Sequence, residues 1–192
     1  YYHTIALTED GKAYVAGRNN EGELGIGQTT SSTITTWTIM KSTNGTSEMT
    51  GIKQVATGYM HTVVLTDNGY MYATGNNGYY QLSDGSSTQR KNLVYMKDSS
   101  NNTMKDVKEI YAAGNTSVAI TNSNGIYVVG ENSYAQLLQG NTSTVTRFTK
   151  VKNSENIDKI VMTTTTGSQT TAYVDNIGRI FTIGYAGLGQ LG

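Results

Sequence analysis

The sequence predicts an all-β chain, a partial β-propeller built of four-stranded antiparallel blades, with about three and a half blades present. Three observations predict it. Four segments superimpose without gaps: His3–Gly25, His61–Ser83, Thr116–Leu138 and Thr170–Gly192. Within each segment the apolar positions recur every second residue, the period of a strand. The composition agrees: 36% hydrophobic, 15% charged, 22 Gly and no Pro suits short strands joined by polar turns, not long amphipathic helices.

The repeat advances by 58, 55 and 54 residues, from Gly17 to Gly75 to Gly130 to Gly184. One column holds Ile5, Val63, Val118 and Ala172, and the next but one holds Leu7, Leu65, Ile120 and Val174. Both columns therefore share one face of a first strand. A turn follows, with Gly11, Gly69, Asn124 and Gly178 in register, residues that tolerate positive φ. A second strand carries the aromatic column Tyr14, Tyr72, Tyr127 and Phe181 and stops at the Gly column. Seven residues after that Gly comes Leu24, Leu82, Leu137 or Leu191, preceded by Glu23, Gln81, Gln136 or Gln190, and the Leu is expected to plug its loop against the core. Trp37, Leu93 and Phe148 align in a third strand, and a fourth is expected to start near Ile52, Val107 and Ile157. Four strands in ~55 residues is the content of one blade. A single domain then spans residues 1–192, with repeat cores at 3–27, 61–85, 116–140 and 170–192.

The stretch HTVVLTDNGYMYATGNNGYYQLSDG, from His61 to Gly85, resembles the regulator of chromosome condensation (RCC1) repeat, and the resemblance extends over nearly the whole chain. Eukaryotic copies usually carry a large aromatic just before the strand-ending Gly. Here Ala16, Thr74, Val129 and Ile183 take that place, which gives the copies a bacterial cast. The resemblance implies a propeller, typically of seven blades, whose loops on one face bind proteins. Seven blades need roughly 390 residues at this period, so the array is expected to belong to a longer chain, with further blades as its neighbours. Family members include a nucleotide exchange factor for a small GTPase, a secreted enzyme inhibitor and repeat modules of bacterial surface proteins.

Other function classes find little support. Lys plus Arg and Asp plus Glu are 14 each, with no basic stripe, so no nucleic acid is expected as partner. No apolar run reaches membrane-spanning length. Without Cys, and with two histidines aligned in repeat-core positions, no metal or cofactor site is expected; His3 and His61 read as structural hydrogen-bonding groups. No nucleophile motif occurs, and the chain is not expected to be an enzyme. The 14 tyrosines are the unusual feature. Tyr79 and Tyr134 align in the loop after the second strand, Tyr80 adjoins Tyr79, and Tyr59 and Tyr185 fall near loops. Loop tyrosines offer rigid contact area with a polar tip, suited to a protein or a glycan, or else they cap the packing between blades. The expected activity is thus non-catalytic binding in a bacterial secreted or cell-surface protein. The alternative is a regulatory propeller, either an exchange factor or a secreted inhibitor. An extracellular setting is favoured, although zero Cys fits the cytoplasm equally.

Overall fold

In a computed structural model, which describes residues 2–165 and 168–192, the repeat folds as expected into four antiparallel sheets. The strands are β1 (His3–Leu7), β2 (Ala13–Asn19), β3 (Thr30–Ile39), β4 (Ile52–Thr57), β5 (His61–Thr66), β6 (Met71–Gly75), β7 (Arg90–Tyr95), β8 (Val107–Ala113), β9 (Thr116–Thr121), β10 (Ile126–Gly130), β11 (Val145–Lys150), β12 (Ile157–Thr165), β13 (Ser168–Asp175) and β14 (Ile180–Gly184). Their order is simple: β1-β2-β3, β4-β5-β6-β7, β8-β9-β10-β11 and β12-β13-β14. The strand content is that of three and a half blades, but it is spread over four sheets, of which the middle two are complete. One short 3₁₀ turn, Ser154–Asn156, interrupts the strands.

Register is the same in every copy. His3, His61, Thr116 and Thr170 each pair with the Gly of the next strand, which ends β6, β10 and β14 and lies two residues before the end of β2, and Leu7, Leu65, Ile120 and Val174 each pair with the residue that starts it. Strands β4, β8 and β12 neighbour one another across sheets and so form the inner wall of the array. There the Gln54 side chain clamps β8, accepting from the Ile110 N–H at 2.9 Å and donating to the Ile110 carbonyl at 2.8 Å.

Period-two alternation gives every blade two apolar faces, and stacking buries both. Ala13 and Val15 of the first sheet meet Val64, Tyr72 and Leu93 of the second. Val63, Leu65, Met71 and Ala73 on the other side of that second sheet meet Ala119, Val129 and Phe148 of the third. Val118, Ile126 and Val128 then meet Ile160 of the fourth, with Tyr173 half-buried against them. Leu24, Leu82 and Leu137 are fully buried in these three junctions, as the plugging role requires. Each such side chain contributes roughly 1.5–3 kcal/mol.

The two ends of the array differ from its middle. Trp37 holds the register position of Leu93 and Phe148 yet is 56% exposed, because among the described residues no sheet lies against its side of β3. Ile180 on β14 is 74% exposed for the same reason at the other end, and Leu191 is only half-buried where its three counterparts are fully enclosed.

The strand-ending glycines explain themselves sterically. Gly17, Gly75, Gly130 and Gly184 all have φ between 105 and 131, and a β-carbon at Gly75 would collide with the Met60 carbonyl oxygen. Gly178 also has positive φ, 84, but nothing lies within 4 Å of where its β-carbon would sit. Gly178→Ala is therefore expected to lower stability by about 1 kcal/mol and Gly75→Ala by about 3 kcal/mol or more in urea unfolding. Equal losses at the two positions would contradict the close-approach argument.

Candidate functional site: the tyrosine-bearing loop face

Strand direction alternates within each sheet, so the turns β4–β5 and β8–β9 and the long loops after β2, β6, β10 and β14 all emerge at one end of the array. Every loop tyrosine singled out from the sequence lies there: Tyr59, Tyr79, Tyr80, Tyr134 and Tyr185, joined by Tyr2. Hydrogen bonds across junctions confirm the common end, as where Tyr59 N–H donates to the Gly114 carbonyl at 2.7 Å.

The loops owe their shape to two side-chain brackets, an Asn present in three copies and a Gln or Glu present in all four. Asn19, Asn77 and Asn132 are fully buried two residues after the strand-ending Gly. Their Oδ1 atoms accept from the N–H of Leu24, Leu82 and Leu137 at 3.1, 2.9 and 2.9 Å. Their amide nitrogens reach the far side of the loop, to the Gln28 carbonyl, the Ser86 and Thr88 carbonyls, and the Asn141 and Ser143 carbonyls. The second bracket is the Gln column. Gln81 Oε1 accepts from Tyr79 N–H and Gln136 Oε1 from Tyr134 N–H, both at 2.9 Å. The residues that carry the exposed rings are thus pinned at the backbone. In the fourth copy Ala186 replaces the Asn, and only the Gln190 bracket remains, accepting from Leu188 N–H at 2.8 Å.

Tyr79 is 41% exposed and Tyr134 38%. Tyr134 meets Tyr185 edge-to-face with centroids 5.1 Å apart, and Tyr2 meets Tyr59 likewise at 5.7 Å. Each pair bridges two neighbouring sheets, so Tyr59 and Tyr185 have a packing role, while Tyr79 and Tyr134 keep substantial surface. Tyr80 sits at φ 63, in the left-handed region, at a position held by Gly22 and Gly189 in the first and last copies. A bulky residue there is strained by about 1 kcal/mol or more.

The histidines lie beneath this face, in the junctions. His3 Nε2 bonds Thr62 Oγ1 at 2.9 Å, and that hydroxyl donates to the Glu23 carbonyl at 2.7 Å. His61 Nε2 bonds Ser117 Oγ at 3.0 Å, and Ser117 donates to the Gln81 carbonyl at 2.9 Å. Since each hydroxyl spends its proton on a carbonyl, each ring must donate from Nε2–H, leaving Nδ1 bare. In the last junction Thr171 makes the same carbonyl bond, to Gln136 at 2.7 Å. The histidines therefore bind blade to blade, a longer reach than a bond between strands of one sheet. Burial pushes the His61 pKa down to about 3, helped by repulsion from His3, and burial pushes His3 down to about 4.

Glu23 breaks the Gln pattern. Its Oε2 accepts from Glu21 N–H at 2.8 Å, as a Gln oxygen would, but the fully buried Oε1 lacks a hydrogen-bond partner and has only Arg18 Nε at 3.8 Å. Gln136 uses the corresponding nitrogen to donate to the Glu131 carbonyl at 2.9 Å. Neither the Asn bracket nor the His relay was recognised in the sequence. The Asn column was visible there, in the G-x-N spacing of three copies. Among the described residues no group of three or more His, Cys, Asp or Glu could hold a metal ion, and no helix is long and apolar enough to cross a membrane.

This scaffold is an all-β array of propeller blades. Residues 1–23 and 52–81, in the first two copies, match the regulator of chromosome condensation (RCC1) repeat. The probable E3 ubiquitin-protein ligase HERC4 of Homo sapiens is 32% identical over 195 residues, covering all of this chain and 17% of that protein. The X-linked retinitis pigmentosa GTPase regulator of Homo sapiens is 34% identical over 143 residues, 74% of this chain and 13% of that protein. The chain thus spans under a fifth of these relatives' length. Among solved structures, human WBSCR16 superimposes with a TM-score of 0.76 at 22% identity, over 96% of this chain and 45% of its own. Prp20p of Saccharomyces cerevisiae gives 0.68 at 20%, over 83% and 39%. Those two likenesses concern the fold. All four proteins are eukaryotic, so the bacterial cast expected from the residue before the Gly finds no support in them. At one such position the structure supplies a local reason for a small residue: Thr74 is fully buried, its one hydroxyl proton within hydrogen-bonding reach of both the Arg90 and Gly22 carbonyls, at 2.7 and 2.9 Å.

Two outcomes follow from the buried groups. Unfolded histidine titrates near 6.5, the folded pair lower. Below pH 6.5 the unfolded chain takes up protons that the folded one refuses, so stability is fully present above that pH. It falls as pH drops toward 4, by up to ~1.4 kcal/mol per pH unit for each histidine. Thermal melting across pH 4–7 checks this, and His61→Ala should flatten its share of the slope. Glu23→Gln, by supplying the missing donor, should raise stability by about 1 kcal/mol in urea unfolding.

Proposed function

We propose that the chain is a non-catalytic protein-binding module of an RCC1-type propeller, and that its tyrosine-bearing loop face is the contact surface. The observation that carries this reading is the pinning of Tyr79 and Tyr134. Their backbones are fixed by Gln81 and Gln136 while the residues remain 41% and 38% exposed. Rigid amphipathic rings on a rigid frame bind with little entropy loss. A strained Tyr80 beside Tyr79 adds weight, since strain is commonly kept where a residue has work to do.

In this reading the array is part of a larger ring, with further RCC1 blades covering Trp37 at one end and Ile180 at the other, as neighbouring sheets cover Leu93 and Phe148 inside it. The second reading is a regulatory propeller acting on a GTPase, favoured by the 34% identity to a GTPase regulator. Prp20p, of the same fold, is described with its binding to Gsp1p and histones. A secreted or surface location and a glycan partner rest on the sequence alone.

Photo-crosslinking tests the contact surface. A benzoylphenylalanine placed at position 79 or 134 should give a discrete adduct in an extract of the source, and one at position 124, on the opposite end, should not. Tyr79→Ala should leave stability within about 1 kcal/mol. Adducts from both ends alike, or a loss of about 3 kcal/mol on replacing Tyr79, would make the tyrosines packing residues.

A further inference from the structure

The two ends of the array divide the side chains unequally. Where the loops leave the strands on the tyrosine face, at 18–23, 58–60, 76–81, 114–115, 131–136 and 185–190, they contain no lysine, although exposed Lys91 borders Gly22; their only cation is Arg18, against Glu21, Glu23 and Glu131. The opposite end carries five lysines and Arg179, dispersed among its own carboxylates, and one tyrosine, Tyr70. Arg90 neutralises Asp84 at 2.5 Å. Arg18 is shared between two carboxylates, Glu21 at 3.6 Å and Glu23 at 3.8 Å. Glu131 has no cation within 4.0 Å among the described residues. Its Oε2 accepts from Gln169 Nε2 at 2.6 Å and from Asn115 Nδ2 at 3.0 Å, amides that hold a carboxylate in place without cancelling its charge. The face is therefore net negative and rich in aromatic rings.

Glu131 lies three residues before Tyr134, whose ring meets Tyr185, so a carboxylate and an aromatic pair sit together at the third junction. The first junction repeats the combination with Tyr2, Tyr59 and Glu21, and there Arg18 already shows what such a corner holds. Its guanidinium lies 5.7 Å from the Tyr2 ring centroid while it pairs with Glu21. Glu23 strengthens the field from below: three copies place neutral Gln at its position, and a buried carboxylate is poorly screened by salt.

Building on the binding-face reading above, we infer that the partner is cationic: a protein segment whose arginine or lysine side chains lie against Tyr134 and Tyr185 beside Glu131, and toward Glu21 and Glu23. Aromatic faces and fixed carboxylates both attract such groups.

The test uses amide NMR on the full chain with three synthetic dodecapeptides, four repeats each of Arg-Gly-Ser, Gln-Gly-Ser and Glu-Gly-Ser. The arginine peptide should shift amides at 21–23, 131–134 and 185 and leave 97–105 and 152 unmoved. Its binding should weaken as salt rises. Glu131→Gln and Glu23→Gln should each weaken it about fivefold, and Glu48→Gln, on the opposite end, should not. A glutamine or glutamate peptide binding the tyrosine face equally well would overturn the cationic partner and leave the binding face standing. Shifts confined to the opposite end, binding of none of the three, or no weakening in the Glu131 and Glu23 variants would also overturn it. Crosslinks from positions 79 and 134 judge the face itself separately.

Discussion

A sheet whose two faces are both apolar cannot bury them by itself, and that constraint governs this protein. Val63 and Val64 are consecutive on β5 and point opposite ways, one into the junction with the third sheet and the other into the junction with the first. Neither could be enclosed without a neighbour on its own side. Stability therefore resides in the junctions, as in other stacked-repeat proteins. Where a junction is missing, the same register position changes character: Leu93 and Phe148 are enclosed, and Trp37 is not.

Apolar stacking alone would let sheets slide over one another. The polar elements beneath the loop face set the register. His3 to Thr62 to the Glu23 carbonyl, and His61 to Ser117 to the Gln81 carbonyl, are two-step chains that return to the blade they left, since Glu23 and Gln81 belong to the loops of the first and second blades. Such chains have direction and a fixed length, which dispersion contacts lack. They also lock the loop bearing the Gln bracket to the next sheet, so that the presentation of Tyr79 and Tyr134 follows from the packing of the blades.

Most of the fold was legible because its constraints are local and periodic. The alternation of Ile5 with Leu7 and of Val63 with Leu65, the turn glycines, and the strand-ending Gly at a fixed distance all act within ~20 residues, and repetition made each one visible four times. The placement of β4, β8 and β12 from Ile52, Val107 and Ile157 followed from the same spacing. The common face of the tyrosines was less accessible, since it depends on counting strand reversals. The His relay was out of reach, because Thr62 and Ser117 lie 59 and 56 residues from their histidines and look like ordinary strand residues. The exposure of Trp37 was equally hidden: alignment with Leu93 says where the side chain points and nothing about what stands opposite.

Variation between copies within this one chain separates frame from surface. The strand-ending Gly, the buried Asn and the bracket Gln recur wherever they can, because each answers a steric or hydrogen-bonding demand that every loop shares. The position four residues after that Gly is less constrained: its backbone N–H is held by the bracket, and Tyr79, Tyr134 and Leu188 there are exposed. It is Glu21, Tyr79, Tyr134 and Leu188 in turn. The half-buried position one after the Gly is Arg18, Asn76, Glu131 and Tyr185. Because the loop is held through its backbone by the bracket, these columns hold a different group on every blade while the loop beneath keeps its shape. A ring of identical frames can thereby present an asymmetric pattern of rings and carboxylates, and an asymmetric pattern is what a single partner, docking in one orientation, requires.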